Sequence, residues 1–177
     1  MTFEPLPTML DVRKAAVRGL SISGVINPFD LLRFRSLLAE NHGLISVDLS
    51  FDRDEENRHL IEVSVRAEFV VTCQRCLDPL PEQVSCKNTL AVVWTDEQAA
   101  HLPRYLEPLI VDEQSCNLWN LVEEELILAT PQFSYHDTED CKKRIEAFSD
   151  PVSVDDSGDG RPNPFNVLRQ LKPGEKH

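Results

Sequence analysis

Two runs of strict alternation constrain this chain more than anything else in it. Ile45, Val47, Leu49 and Phe51 alternate with Ser46, Asp48, Ser50 and Asp52, and Ile61, Val63, Val65, Ala67, Phe69, Val71 and Cys73 alternate with mostly polar partners. Successive side chains of a strand point to opposite faces, so a period of two means one dry face and one wet one. Val84, Cys86, Leu90, Val92 and Trp94 make a looser third run, and residues 20–26 a shorter one with Leu20, Ile22 and Ile26 on one face. The polar stretch 52–57 and the Pro-containing stretch 78–82 predict the turns of an antiparallel meander.

A half-dry sheet needs a cover. Residues 9–19 predict a short helix that exposes Arg13, Lys14 and Arg18. Asn27-Pro28-Phe29 predicts the start of a longer one over about 28–41, because Asn caps free N–H groups and Pro suits the first turn. Asn117 caps another over about 117–130, with an apolar stripe of Leu118, Leu121, Val122, Leu126 and Ala129, and Pro131 stops it. The fold class expected is α+β: an antiparallel sheet (meander) from residues 20–94 covered by two main helices, with residues 1–148 as a single domain. Residues 137–160 carry eight acids against three bases and read as solvated. Within them 149–162 is expected to be a flexible acidic linker, and 163–177 a short amphipathic docking helix and tail. Phe165, Leu168 and Leu171 would then dock on a partner or fold back on the chain's own domain.

With 41% hydrophobic residues in 177, a folded core is expected. No apolar run approaches the roughly 20 residues of a membrane span, and the N-terminus has no basic or apolar leader, so the reading is cytoplasmic with no membrane partner. The net charge of -12 is uneven: residues 1–90 hold ten Lys/Arg and thirteen Asp/Glu, residues 91–177 eight and seventeen. That argues against an ordinary electrostatic nucleic-acid binder, which needs clustered cations, and favours a basic partner. An acidic surface also serves solubility alone.

The five cysteines include Cys73-Gln74-Arg75-Cys76, with the spacing of a zinc knuckle, and His136 is followed by Cys141. Together the two patches predict a Cys3His structural zinc site. Inert packing and redox chemistry remain open, the latter weakened because Cys76 precedes a Pro-rich turn instead of a helix. Cys86 reads as a small buried hydrophobe, and Cys116 lies beside a helix start, which favours a thiolate. Of three successive glutamates, Glu123 and Glu124 are expected to face away from the stripe, as an acidic contact for a basic partner. Glu125 is expected to face inward and pair with Arg75, or to sit at the helix edge with its side chain bent into water, and it is also a candidate for the acidic contact with a basic partner. Arg13, Lys14 and Arg18 are the one cluster suited to RNA phosphates. No Gly-rich phosphate loop, His-Glu-x-x-His or nucleophile elbow is present, so no catalytic residue is assigned and the chain reads as no enzyme.

Five motifs in order carry a family resemblance. They are Cys73-Gln74-Arg75-Cys76-Leu77; Asp96-Glu97-Gln98-Ala99 with Leu102-Pro103 and Glu107-Pro108; Val122-Glu123-Glu124-Glu125-Leu126-Ile127-Leu128-Ala129-Thr130-Pro131; His136-Asp137 with Cys141; and Asn163-Pro164-Phe165 with Leu168 and Leu171-Lys172. Leu10-Asp11 with Arg13 and Ala15 also fits. The chain resembles the bacterial large ribosomal RNA subunit accumulation (YceD) family over nearly its whole length, departing at Thr130, where the family more often has Leu, and in 149–161. The resemblance implies a non-enzymatic factor for 23S rRNA accumulation and large-subunit assembly. The resemblance does not supply a mechanism; with the acidic half 91–177 beside it, the expected partner is a basic large-subunit ribosomal protein or a pre-50S particle. Direct 23S rRNA binding, and a zinc-dependent or thiol enzyme acting on rRNA, are the alternatives.

Overall fold

The structure is a computed structural model that describes residues 4–111 and 115–148. Alternation becomes strand where it was expected. β1 (Met9–Asp11) leads into α1 (Val12–Arg18) and β2 (Ser21–Ile26), and three long strands follow: β3 (Leu38–Arg53), β4 (His59–Thr72) and β5 (Pro79–Val93). Then come α2 (Asp96–Ala100), β6 (Glu107–Ile110), β7 (Ser115–Asn117), α3 (Leu118–Ala129) and α4 (Glu139–Phe148). The main sheet has the order β2-β3-β4-β5-β6, and β1 pairs with β7 in a separate two-stranded ribbon.

One face of the main sheet is dry. Ile45, Val47, Leu49 and Phe51 of β3 and Ile61, Val63, Val65, Ala67, Phe69 and Val71 of β4 are buried, while their alternating neighbours are mostly wet. α1 covers β3 and β4, and α3 covers β4 and β5. Asp11 caps α1 through the Lys14 N–H, and Asn117 caps α3 by accepting from the N–H groups of Trp119 and Asn120. Thr130 closes α3 before Pro131, as the sequence predicts.

Four expectations need correction. The helix over 28–41 does not form: that stretch makes two short 3-10 turns, Pro28–Asp30 and Phe34–Leu37, and then enters β3 at Leu38. Tertiary contacts override the cap. Leu31 and Phe34 are pulled into the core, Phe34 meets the Phe69 ring edge-on at 4.9 Å, and Leu38 pairs with Val71. β3 then bulges between Leu38 and Gly43, where a Cβ would strike the Glu68 carbonyl oxygen. The covering helices are therefore α1 and α3. Second, the sheet is a meander only through β5, for β6 returns parallel to it after α2. Third, the β4–β5 turn is the cysteine knuckle itself: Cys73 N–H bonds the Asp78 carbonyl, and Pro79 already lies in β5. Fourth, 139–148 is helix instead of solvated chain, with Thr138 Oγ1 accepting the Cys141 N–H at its start. The linker 149–162 and the segment 163–177 lie outside the described residues.

Candidate metal centre

The knuckle forms because β4 delivers Cys73 to the end of the sheet and the chain must reverse within five residues. Leu77 sustains the reversal with φ of 63°, and its N–H bonds the Cys73 carbonyl. After α3 the chain runs back along this turn. Gln74 N–H donates to the Ser134 carbonyl, and the His136 N–H points at Cys73 Sγ at 3.5 Å. α4 then brings in Cys141. The Arg144 guanidinium holds Asp78 at 2.6 Å across the same turn.

Four donor atoms meet there. Cys73 Sγ lies 3.6 Å from Cys141 Sγ, Cys76 Sγ lies 3.2 Å from His136 Nδ1, and all four are within 4.8 Å of one another. Ligands at about 2.3 Å around a tetrahedral ion stand roughly 3.8 Å apart, so the separations suit a single small metal ion. The histidine is set for the task. Its Nε2 lies 3.1 Å from the Pro79 carbonyl, an acceptor, which fixes the proton on Nε2 and turns the Nδ1 lone pair toward the thiols. Cys73 and Cys141 are buried, and Cys76 and His136 half-buried. Three sulfurs and an imidazole are the donor set that zinc prefers in closed structural sites.

Local fields fit thiolate chemistry. Burial opposes ionisation of Cys73, but the N–H groups of Cys76, His136 and Arg75 outweigh it and bring its thiol down to about 5. The Asp78 N–H favours ionised Cys76, yet burial and the neighbouring sulfurs of Cys73 and Cys141 push that thiol up to about 11. Two sulfurs so close cannot both ionise without a cation between them, which a divalent ion supplies.

Around the cluster stand aromatic residues that the sequence did not mark. Arg75 lies 4.8 Å over the Tyr135 ring, and Tyr135 stacks with Phe133. The one hint was their place just before His136. The expected Arg75–Glu125 pair is not made, because Arg75 belongs to the knuckle end while Glu125 sits over mid-β5, accepting from Asn88 Nδ2 at 2.5 Å. Glu123, expected outside, is buried. Its Oε1 accepts the N–H groups of Arg33 and Phe34 at 2.7 and 3.1 Å, and its Oε2 the Arg33 Nε at 2.9 Å. Burial alone would raise its carboxyl, but Arg33 and these N–H groups hold it below the usual range. Glu124 is exposed, as expected, and pairs with Arg33 Nη1. Burial pushes up the thiols of Cys86 and Cys116, so the helix start beside Cys116 does not yield a thiolate. Arg13, Lys14 and Arg18 are exposed on α1, Lys14 paired with Asp11. Phe165, Leu168 and Leu171 lie outside the described residues. Among the described residues no helix is long and apolar enough to cross a membrane.

A mostly antiparallel sheet backed by helices, with a Cys3His cluster at one end that could hold a metal ion, defines an α+β domain. The family described as "Large ribosomal RNA subunit accumulation protein YceD" matches residues 61–172. Among curated proteins, the Large ribosomal RNA subunit accumulation protein YceD of Haemophilus influenzae is 31% identical over 168 residues, covering 94% of this chain and 96% of that protein. The chain belongs to the YceD family. No solved structure matches it.

Proposed function

We propose that this protein is a non-enzymatic factor for large-subunit assembly. In this reading it supports 23S rRNA accumulation by contacting a basic ribosomal protein or a pre-50S particle through its acidic surface. The family is named for accumulation of large-subunit rRNA and not for a reaction. The observation that carries the reading is that the one metal-ligating cluster found among the described residues closes on itself. Cys73, Cys76, His136 and Cys141 supply all four positions of a tetrahedral ion, leaving no place for the water or substrate that catalytic zinc requires. Zinc is here a structural clip between the β4–β5 turn and α4. The interaction with a partner then rests on charge, and the -9 carried by residues 91–177 is its source.

The test is co-sedimentation of the full chain with pre-50S particles from cells depleted of it. Binding should be strong at low salt and largely lost at about 0.5 M, because exposed charges are screened within a few ångströms there. Binding that ignores salt sinks the acidic-contact mechanism. Direct rRNA contact through Arg13, Lys14 and Arg18 is the second reading, favoured by their shared exposure on α1. Charge reversal of all three should then abolish association with purified 23S rRNA.

A further inference from the structure

The two edges of the main sheet are treated differently. At the β2 edge the N-terminal chain lies alongside: Leu6 N–H bonds the Val25 carbonyl, and Val25 N–H bonds the Glu4 carbonyl. At the β6 edge no described strand follows. Val111 N–H donates to the Val93 carbonyl, so in the parallel ladder Glu107 and Leu109 aim their peptide groups at β5. Pro108, which has no N–H, aims its carbonyl outward, and Ile110 both its N–H and its carbonyl. An uncovered edge is a template for another polypeptide.

Beside this edge runs a groove of about 1080 Å³ between β6, β7 and α3. It exists because α3 packs on β4 and β5 and stops short of β6. Its apolar side chains stay in water: Leu32 is 69%, Leu128 70%, Met9 53% and Ile110 46% exposed. Among the described residues its charged lining is four carboxylates, Glu107, Glu123, Glu124 and Glu125, against Arg33, whose guanidinium is already engaged by Glu123 and Glu124. An apolar floor rimmed by surplus negative charge, next to free strand peptide groups, suits one kind of occupant.

We propose that this groove binds an extended polypeptide segment of a partner protein that presents both Lys or Arg and apolar residues on one face of the strand. The segment lies along β6. Its backbone takes the outward carbonyls of Pro108 and Ile110 and the Ile110 N–H, its apolar side chains cover Leu32 and Leu128, and its cations reach Glu107 and Glu124 on the same side. A nucleic acid is disfavoured by the lining charge. The inference rests on the assembly-factor reading and gives its basic partner a place.

The experiment uses the full chain and a fluorescein-labelled dodecapeptide of repeating Lys-Lys-Val-Val, which puts both residue types on each face of an extended strand, with a dodecalysine and a uridine dodecamer as comparison probes. The Lys/Val peptide should bind at least tenfold more tightly than dodecalysine, and the RNA should not bind. Glu107→Lys with Glu124→Lys, and separately Leu128→Asp, should each weaken the peptide tenfold or more. These three side chains are all exposed, and circular dichroism checks that the fold is kept. A photo-reactive side chain at Leu128 should crosslink to the peptide, and one at Leu44 on β3 should not. Equal affinity in the variants, binding of RNA in place of peptide, or crosslinking only at Leu44 overturns the proposal. So does Phe165→Ala with Leu168→Ala if it tightens the peptide tenfold, since the chain's own C-terminal segment would then be the occupant. If wild-type protein co-sediments with pre-50S particles and the groove variants do so equally, the groove inference fails while the assembly reading stands. If wild type does not co-sediment but the groove binds the peptide, the assembly reading fails alone.

Discussion

The knuckle end of the sheet and the β6 groove are built from the same ingredients put to opposite use. At the knuckle, polar groups converge. Three sulfurs and an imidazole point at one another, and the ring's far nitrogen and the turn's N–H groups find carbonyl partners. At the groove they diverge: Glu124 and four large apolar side chains face water, and the outer peptide groups of β6 have no described strand beside them. Converging groups stabilise the chain that carries them, while diverging groups are exposed without internal compensation and suit a second molecule. The first region should therefore govern stability and the second association.

The largest effect follows from the metal clip. Protein purified without chelator should carry one zinc per chain. Removing it, or substituting Cys141→Ser, should lower Tm by about 15 °C or more, because the site joins segments distant in sequence. Hydrogen exchange should rise first across residues 73–78 and 132–148 and least in β3 and β4. A metal-free protein with the same Tm would erase the contrast, leaving the cysteines as packing groups.

Next comes Glu123, a groove-lining residue that behaves like the knuckle. Glu123→Ala leaves two N–H groups of the 31–35 turn without their acceptor, one of them buried. Half-exposed Arg33 adds less, being screened by water. The loss should be about 3 kcal/mol, or a Tm lower by roughly 6–12 °C in chemical denaturation and calorimetry. Peptide binding by the surviving folded protein should change little. A variant as stable as wild type would mean the turn is held by Leu31 and Phe34 alone.

How much of this was legible in the sequence divides along the same line. Period two made β3 and β4 readable, and the Asn117 cap and Pro131 made α3 readable, because each signal is local. The two halves of the Cys3His cluster were readable from spacing, though not the α4 that joins them. Its residues, Glu139-Asp140-Cys141-Lys142-Lys143-Arg144, have charges on every side, and only Thr138 marked its start. The 28–41 helix was misread because a good local cap lost to core contacts of Phe34 and to a carboxylate from a distant helix. The groove was invisible. Glu107-Pro108-Leu109-Ile110 is too short to show a period, and its walls come from segments that meet only after folding.

The smallest effect separates two glutamates two residues apart on α3. Arg33 and two N–H groups hold Glu123 below the ordinary glutamate value of 4.5, against the pull of burial. Burial raises Glu125 above that value, and Glu107 and Glu124 add to the rise while Asn88 opposes it. The signs for stability are therefore opposite. Ionised Glu123 stabilises the fold above pH 4.5, and that contribution is lost as pH falls through its depressed value. Ionised Glu125 costs stability as pH rises from 4.5 through its elevated value, and costs nothing below. Glu125→Gln keeps an oxygen for Asn88 and removes the charge. It should raise Tm by a few degrees at pH 7–8 and leave it unchanged below about pH 4, whereas Glu123→Gln should lower Tm at neutral pH with a gap that closes in acid. Tm against pH for the two variants reads both signs at once. A parallel response would mean that Glu125 is as well paired as Glu123, and that the groove carries no stored negative charge for a cationic partner to neutralise.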